Sequence, residues 1–206
     1  TLDRSSAASD VYKRQDEQGT IWLGTYFGGV NYFNPEYEIY TRYKTGDTEK
    51  EGLSSPIVGR MTEDKDGNLW ICTEGGGVNV YNRKDNTYRW YRHEEGKNSI
   101  SHNNVKAIYY DRTNEIMWIG THLGGLNKLD LRTNRFTDYR MKAGDPTSLP
   151  SDIVRDIVPY KDKLVVATQN GVCLFNPATG ACQQLFKETK EGRGIGMVAS
   201  LCIDKD

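Results

Sequence analysis

The sequence predicts an all-β protein, a β-propeller of about four blades with four antiparallel strands each. A pattern recurs along the chain, with Trp22, Trp70 and Trp118 spaced 48 residues apart. This period is typical of propeller blades and falls outside the shorter solenoid range. The 206 residues include 21 Gly and 13 Tyr, and no segment shows helical periodicity. Many short strands joined by tight turns are therefore favoured over a helical repeat.

The first two strands of each unit read as a hairpin. The first strand has apolar residues at its first and fourth positions in VGRMTED (58–64), VKAIYYD (105–111) and VRDIVPY (154–160). A turn follows, such as Asp64-Lys65-Asp66-Gly67, whose residues favour tight β-turns. The second strand, LWICT at 69–73, is apolar at consecutive positions. It is therefore expected to be covered on both faces.

The tryptophan of the second strand recurs at the same phase in three units, and Val165 replaces it in the fourth. An aromatic ring can stack on a sugar, but a ring that recurs with the fold is typical of core packing. We therefore predict that Trp22, Trp70 and Trp118 pack between blades.

A glycine-rich turn follows each second strand. Its glycines are Gly28, Gly29, Gly76, Gly77, Gly124, Gly125 and Gly171. A Walker loop requires Lys followed by Ser or Thr after the last glycine, and a Rossmann loop requires a helix, and neither follows here. Because glycine adopts positive φ angles at low cost, the predicted role of this turn is geometric.

The third strand alternates, as in GVNVYN (77–82), and the fourth, as in TYRWYR (87–92), is typical of an outer edge. The predicted blade units are 16–57, 58–104, 105–153 and 154–197, with 198–206 as the first strand of a further blade. Residues 1–15 are predicted to be a foreign or disordered leader, because Asp10 and Lys13 occupy the apolar positions of an inner strand. We expect an open arc of a larger, seven-bladed propeller. The alternative is a ring closed by pairing of the last strand with residues 20–40.

Composition excludes several classes of function. Lys and Arg total 27 and Asp and Glu total 28, without blocks of like charge, so no nucleic-acid partner is expected. The His and Cys residues lack metal-ligand spacing, and neither a metal nor a cofactor is expected. Cys173 and Cys182 could form a cross-strand disulfide on a hairpin, although small buried thiols are the favoured interpretation.

The best candidates for ligand contacts are positions that vary while the repeat is kept. Those after the repeated threonine are Tyr26, Phe27, Glu74, His122 and Gln169, and polar residues of the inner strands are Arg60, Lys106 and Arg155. In propellers the turns between second and third strands share one face with the crossovers, around the central channel. Binding residues concentrate where repeats vary. Aromatic, acidic, imidazole and amide groups around one opening would suit a sugar.

Each unit approximates S-L, then eight to ten residues, then I-x-x-D-x-x-G-x-L-W-I-G-T-x-x-G-G-L-x-x-Y-(D/N)-x-x-T-x-x-F-x-x-Y, over residues 16–206. This pattern resembles the two-component regulator propeller repeat. The departures are Cys72 in place of the motif glycine, Glu74-Gly75 before the paired glycines, and Val165. The resemblance implies the periplasmic sensor of a hybrid two-component receptor of Bacteroidetes, whose ectodomain typically has two seven-bladed propellers and an immunoglobulin-like domain. Such receptors detect products of polysaccharide breakdown and switch on carbohydrate-use genes.

On this resemblance the chain is expected to be a non-catalytic, periplasmic ligand-sensing module. Its expected partners are an oligosaccharide, the remaining blades of the parent protein, and a second receptor copy in a homodimer. Two alternatives stay open, namely a propeller lyase or glycosidase acting on polysaccharide, and a protein-binding scaffold. No catalytic residue is assigned, because the sequence identifies no carboxylate pair and no G-x-S-x-G motif.

Overall fold

The computed structural model describes residues 12–25, 27–34, 39–185 and 196–203. These residues contain sixteen strands in four antiparallel sheets of four strands each, and no helix. The predicted all-β propeller architecture is therefore confirmed. Within the same residues there is no helix of the length and hydrophobicity that a membrane span requires.

Each sheet is one blade, and its strands follow one another in chain order. Blade 1 contains β1 (Tyr12–Gln15), β2 (Ile21–Thr25), β3 (Gly29–Asn34) and β4 (Ile39–Tyr43). Blade 2 contains β5 (Val58–Glu63), β6 (Leu69–Thr73), β7 (Gly77–Asn82) and β8 (Thr87–Tyr91). Blade 3 contains β9 (Val105–Asp111), β10 (Ile116–Thr121), β11 (Leu126–Asp130) and β12 (Arg135–Tyr139). Blade 4 contains β13 (Val154–Tyr160), β14 (Lys163–Thr168), β15 (Gly171–Phe175) and β16 (Cys182–Leu185).

The first strand of every blade is its inner strand. Strand β1 contacts β5, β5 contacts β9, and β9 contacts β13, so the blades follow one another around a shared inner side. The fourth strands form the other edge of each sheet. They are partly exposed, as in β8 and β12, as edge strands are expected to be.

The core lies between blades. Each of the three clusters of buried apolar side chains contains residues of two neighbouring blades. Trp22, Trp70 and Trp118 each belong to one cluster, and their exposed fractions are 1%, 4% and 0%. Since these rings are covered by the next blade, they serve packing, as the phase of the repeat predicted.

The N-terminal boundary differs from the prediction. Residues 12–15 form β1, which pairs with β2 and places Arg14 opposite Trp22. The prediction of a leader outside the fold is therefore wrong for residues 12–15. Lys13, Arg14 and Gln15 are exposed, and a strand held by backbone hydrogen bonds does not need apolar side chains on an uncovered face. Residues 1–11 lie outside the described part of the chain.

The C-terminal segment also differs from the prediction. Residues 198–203 were expected to begin an inner strand, but they form none. The Val198 amide donates to the Thr168 carbonyl (3.3 Å), and the Leu201 amide donates to Asp156 Oδ2 (2.7 Å). An inner strand pairs with the second strand of its own blade, and the described residues provide no such partner. No ladder joins residues 196–203 to the described part of blade 1 either.

Candidate functional site

The turns between second and third strands lie against the crossovers that lead into the inner strands. The amides of Glu74, His122 and Gln169 donate to the carbonyl oxygens of residues 57, 104 and 153, at 3.0, 2.8 and 2.9 Å. These three residues therefore occupy the same place in blades 2, 3 and 4. We call these the variable turns, and the side of the molecule that carries them the turn face.

The frame of each variable turn is set by its threonine and glycines. Thr73 Oγ1 donates to the Gly77 carbonyl at 2.8 Å, and Thr25, Thr121 and Thr168 make the same bond in their blades. Gly77 has a φ of 76°, and a Cβ there would lie 2.1 Å from the Tyr91 carbonyl oxygen. The glycines are thus required for close backbone approach and for positive φ, rather than for contact with a ligand.

A pair of hydrogen bonds, which the sequence interpretation missed, fixes the crossover to the third strand. In blade 2 the Ser54 amide donates to Asn79 Oδ1 (2.8 Å), and Asn79 Nδ2 donates to Ser54 Oγ (2.7 Å). In blade 3, Ser101 and Asn127 make the same two bonds at 2.9 and 2.7 Å. The signal was present in the sequence, because the serine and the asparagine recur at fixed positions of the repeat.

Blade 4 replaces both members of this pair. Pro150 stands at the serine position and has no amide hydrogen to donate, and Cys173 stands at the asparagine position. The two changes occur together, so neither leaves a buried polar group without its partner.

Two predicted pairs of positions meet on the turn face. Lys106 on the inner strand of blade 3 forms an ion pair with Glu74 of blade 2. Arg155 on the inner strand of blade 4 donates from Nε (3.0 Å) and Nη2 (2.5 Å) to Oε1 of Gln169. Lys106 and Arg155 both stand at irregular positions of the ladder, where β9 and β13 bulge, and a bulge re-aims the side chain that it carries.

The two pairs differ in charge. Lys106 is compensated by a carboxylate, whereas the described partner of Arg155 is a neutral amide oxygen. All four side chains are partly exposed. Arg155 therefore presents a positive charge, held in place by two hydrogen bonds, to whatever lies on the turn face.

His122 lies between these pairs. Burial lowers its pKa, and the nearby charges of Lys106 and Arg155 lower it further. The pKa of His102 is also lowered, first by burial and then by His122. A neutral imidazole can accept one hydrogen bond and donate another, which suits a hydroxyl group.

Arg60 does not join this group. Its Nη2 is 2.8 Å from Oδ2 of Asp156, and it also donates to Ser200. Asp156 is 1% exposed, so Arg60 compensates a buried charge. In the repeat, Arg60 aligns with Asp156 itself and not with Lys106 or Arg155, which explains why it points to different partners.

The predicted aromatic pair of blade 1 is only half described. The Phe27 side chain is 71% exposed, whereas Tyr26 lies outside the described residues. Among the described residues no three His, Cys, Asp or Glu side chains converge as they would around a metal ion.

A groove of about 490 Å³ lies elsewhere, between blades 2 and 3. Trp70, Tyr91, Tyr110 and Leu131 contribute to its lining, together with Asp64 of the first hairpin turn. This turn is at the opposite end of the strands from the variable turns. The groove is therefore separate from the turn face.

The groups on the turn face could contact a ligand. A fixed guanidinium, an ion pair, a neutral imidazole and an amide can orient hydroxyl and carboxylate groups.

Comparison with known proteins agrees with this architecture. Residues 52–75 and 99–122 match the family described as two component regulator propeller. Each matched segment runs from a crossover through the first hairpin to the variable turn of one blade. No curated protein matches the sequence.

Several solved structures have the same fold. The extracellular domain of BT3049, assigned as a hybrid two component system of B. thetaiotaomicron, is 22% identical, with a TM-score of 0.73 over 85% of this chain and 24% of that chain. The extracellular domain of BT4673 from the same organism is 24% identical, with a TM-score of 0.71 over 89% and 26%. Virginiamycin B lyase from Staphylococcus aureus is 13% identical, with a TM-score of 0.65 over 90% and 58%.

The chain spans about a quarter of the length of the two extracellular domains. At these identities the likeness shows a shared propeller fold. The two matched segments correspond to the same phase of two successive blades. Blades 2 and 3 thus each contain a segment that matches the two component regulator propeller repeat.

Proposed function

We propose that these blades belong to the extracytoplasmic sensor of a two-component signalling receptor and that the turn face binds an oligosaccharide without catalysis. The observation that carries this proposal is the pairing of variable-turn residues with inner-strand cations. Lys106 meets Glu74 and Arg155 meets Gln169, and in both blades the turn is held by the bond from its threonine to its last glycine. A surface that varies its polar groups on a fixed frame is typical of recognition.

The groups present favour a ligand with hydroxyl and acidic substituents. The neutral ring of His122 suits a hydroxyl, and Arg155 suits a carboxylate, because its described partner carries no charge. Sugars that contain a uronic acid have both kinds of group. The exposed ring of Phe27 would add a stacking surface for a sugar face.

Signalling would follow from a difference in affinity. A ligand shifts a receptor between two states only if it binds one state more tightly than the other. In this proposal the remaining blades and a second receptor copy provide those two states, and the receptor lies in the inner membrane with these blades in the periplasm. The extracellular origin of two structural neighbours supports this placement.

The test is a binding measurement on the full-length receptor ectodomain with neutral and uronate-containing oligosaccharides, by calorimetry. We expect saturable binding that is lost in Lys106→Met and Arg155→Gln. Lys65→Met is the matched control, because Lys65 also pairs with a glutamate across blades 2 and 3, Glu115, but at the opposite end of the strands. Equal loss in all three variants, or no binding of any glycan, would reject the turn face as the site.

The enzyme alternative rests on one observation, the likeness to virginiamycin B lyase, which is a propeller enzyme. Mass spectrometry of the same oligosaccharides after incubation distinguishes the two functions. Intact ligands support a sensor, and new unsaturated or reducing ends would support a lyase or a glycosidase.

A further inference from the structure

Two thiols of blade 4 lie in direct contact. Cys173 on β15 and Cys182 on β16 lie diagonally across neighbouring antiparallel strands, since the register pairs Cys173 with Gln184 and Cys182 with Phe175. Their sulfur atoms are 3.0 Å apart. Both are buried, with exposed fractions of 0% and 5%. Because an S–S bond is about 2.05 Å long, the two sulfurs need to approach each other by only about 1 Å to be bonded.

The position of Cys173 gives this contact a structural context. In blades 2 and 3 the same position holds the asparagine that fixes the third strand to the crossover. Blade 4 lacks that link, and Pro150 stands at the position of the serine. The thiol pair joins the third strand to the fourth instead, and the Cys182 amide donates to the Thr147 carbonyl of the crossover at 2.7 Å.

A reduced pair would be a weak substitute. A thiol is a poor hydrogen-bond donor and acceptor, whereas the Asn–Ser pair supplies two good bonds. A covalent link between β15 and β16 would add a different constraint, at the outer edge of blade 4.

We propose that Cys173 and Cys182 form a disulfide, made during folding by a protein thiol–disulfide oxidant. The thiolate of one cysteine attacks the oxidant's disulfide and forms a mixed disulfide, releasing one oxidant sulfur as a thiol. The second cysteine then attacks the sulfur of the first, and the oxidant leaves fully reduced. Two protons and two electrons are lost by the pair, and the electrons reduce the oxidant. The presence of this oxidant rests on the extracytoplasmic location in the proposed function.

The stage of folding at which the disulfide forms follows from the chemistry of thiols. The contact with Cys182 and burial both raise the pKa of Cys173, and the thiolate is the reactive form. Reaction is therefore favoured before the strands pack, when the pair is still accessible. The other two cysteines lack a comparable partner among the described residues, Cys72 being buried and Cys202 exposed.

The test uses full-chain protein made in a reducing cytoplasm and refolded with oxidised and reduced glutathione, so that its outcome does not depend on where the protein resides in the cell. Free thiols are blocked with N-ethylmaleimide under denaturation, and the peptides are mapped by mass spectrometry. We expect Cys72 and Cys202 to be blocked, and Cys173 and Cys182 to be recovered in one linked peptide pair. Four blocked cysteines, or links through Cys202, would overturn the proposal.

Stability provides the second readout. Reduction should lower the Tm of the oxidised protein by about 5–10 °C, as expected for closing a loop of this size, and should leave the Tm of the Cys173→Ala/Cys182→Ala variant unchanged. Cys202→Ser is the control and should keep the full shift. If the double variant does not fold, the mapped link in the wild-type protein still decides. A linked pair found after refolding but absent from periplasmic material would uphold the chemistry and contradict the location.

Discussion

Two neighbouring interfaces, between blades 1 and 2 and between blades 2 and 3, contain the equivalent tryptophans Trp22 and Trp70. The space beside the ring is filled differently in the two. In the first, the Arg83 guanidinium lies 4.8 Å from the centre of the Trp22 ring, and its Nη1 is 3.0 Å from Asp16 Oδ2. In the second, Leu131 stands at the position of Arg83, and the 490 Å³ groove lies beside Trp70. A long cation has been exchanged for a short apolar side chain.

A second pair of equivalent positions also differs between the two interfaces. Tyr81 contacts the Trp22 ring edge to face, with the ring centres 6.2 Å apart. Leu129 holds the equivalent position in the cluster around Trp70. Two leucines thus stand where the first interface has a tyrosine and an arginine, and one of them, Leu131, lines the groove. The repeated tryptophan thus positions the blades, whereas the residues facing it decide whether an interface is filled or open.

The hydrogen bond that orients the tryptophan is the same in both interfaces. Asp16 Oδ2 accepts the Trp22 indole N–H at 2.7 Å, and Asp64 Oδ2 accepts that of Trp70 at 2.8 Å. In blade 3 the aspartate is one residue farther from the tryptophan, because Asp111 precedes Trp118 by seven residues instead of six. The buried indole nitrogen of Trp118 consequently has no described hydrogen-bond partner.

The largest effect is expected from removing the tryptophan that recurs at both interfaces. Trp70→Ala should lower the free energy of unfolding by about 3–5 kcal/mol, because a large buried ring is replaced by a cavity. Urea unfolding followed by circular dichroism measures this loss. Tyr160→Ala, at a side chain that is 42% exposed, is the control and should change stability little. Unchanged melting of Trp70→Ala together with lost glycan binding would show that the ring is a sugar platform.

Arg83→Leu should come next, since it gives the first interface the residue of the second. We expect a loss of about 3 kcal/mol in the free energy of unfolding, because the fully buried Asp16 carboxylate loses its cation. Arg132→Leu, which removes an exposed partner of Glu115, should have little effect. If both variants unfold at the same urea concentration, Arg83 does not stabilise the interface.

The indole hydrogen bond can be isolated by comparing two phenylalanine variants. Trp70→Phe removes a donor from Asp64, whereas Trp118→Phe removes a nitrogen that has no described partner. Trp70→Phe should therefore cost about 1–2 kcal/mol more than Trp118→Phe, even though the lost apolar area is similar. Equal costs in urea unfolding would mean that the Asp64 bond contributes no net stability.

Much of the frame followed from the sequence because it depends on local physics. Apolar residues at consecutive positions identified the second strand, and glycine identified the turn. The spacing of Trp22, Trp70 and Trp118 identified the length of one blade. The inner strand at residues 12–15 did not follow, since its side chains carry no apolar pattern and only its backbone bonds define it.

The position of the variable turns beside the inner strands could be predicted from the sequence, but the pairing of their side chains could not. The meeting of Lys106 with Glu74 and of Arg155 with Gln169 depends on bulges in β9 and β13, which one sequence does not reveal. The pairing of Arg60 with Asp156 joins residues 96 positions apart, and no local signal encodes a contact between blades 2 and 4.

The smallest effect is expected from the reverse exchange, which gives the interface between blades 2 and 3 the arginine of the interface between blades 1 and 2. Leu131→Arg places a guanidinium where the groove lies, facing Trp70 and the carboxylate of Asp64, as Arg83 faces Trp22 and Asp16. The gain should stay within about 1 kcal/mol, because Asp64 Oδ2 already accepts hydrogen bonds from Asn68 and Trp70 and the new pair would be partly exposed. Leu131→Met, which adds no charge, is the matched control. If Leu131→Arg clearly lowers the free energy of unfolding and Leu131→Met does not, the interface between blades 2 and 3 depends on its leucine. It then cannot be filled in the way that Arg83 fills the interface between blades 1 and 2.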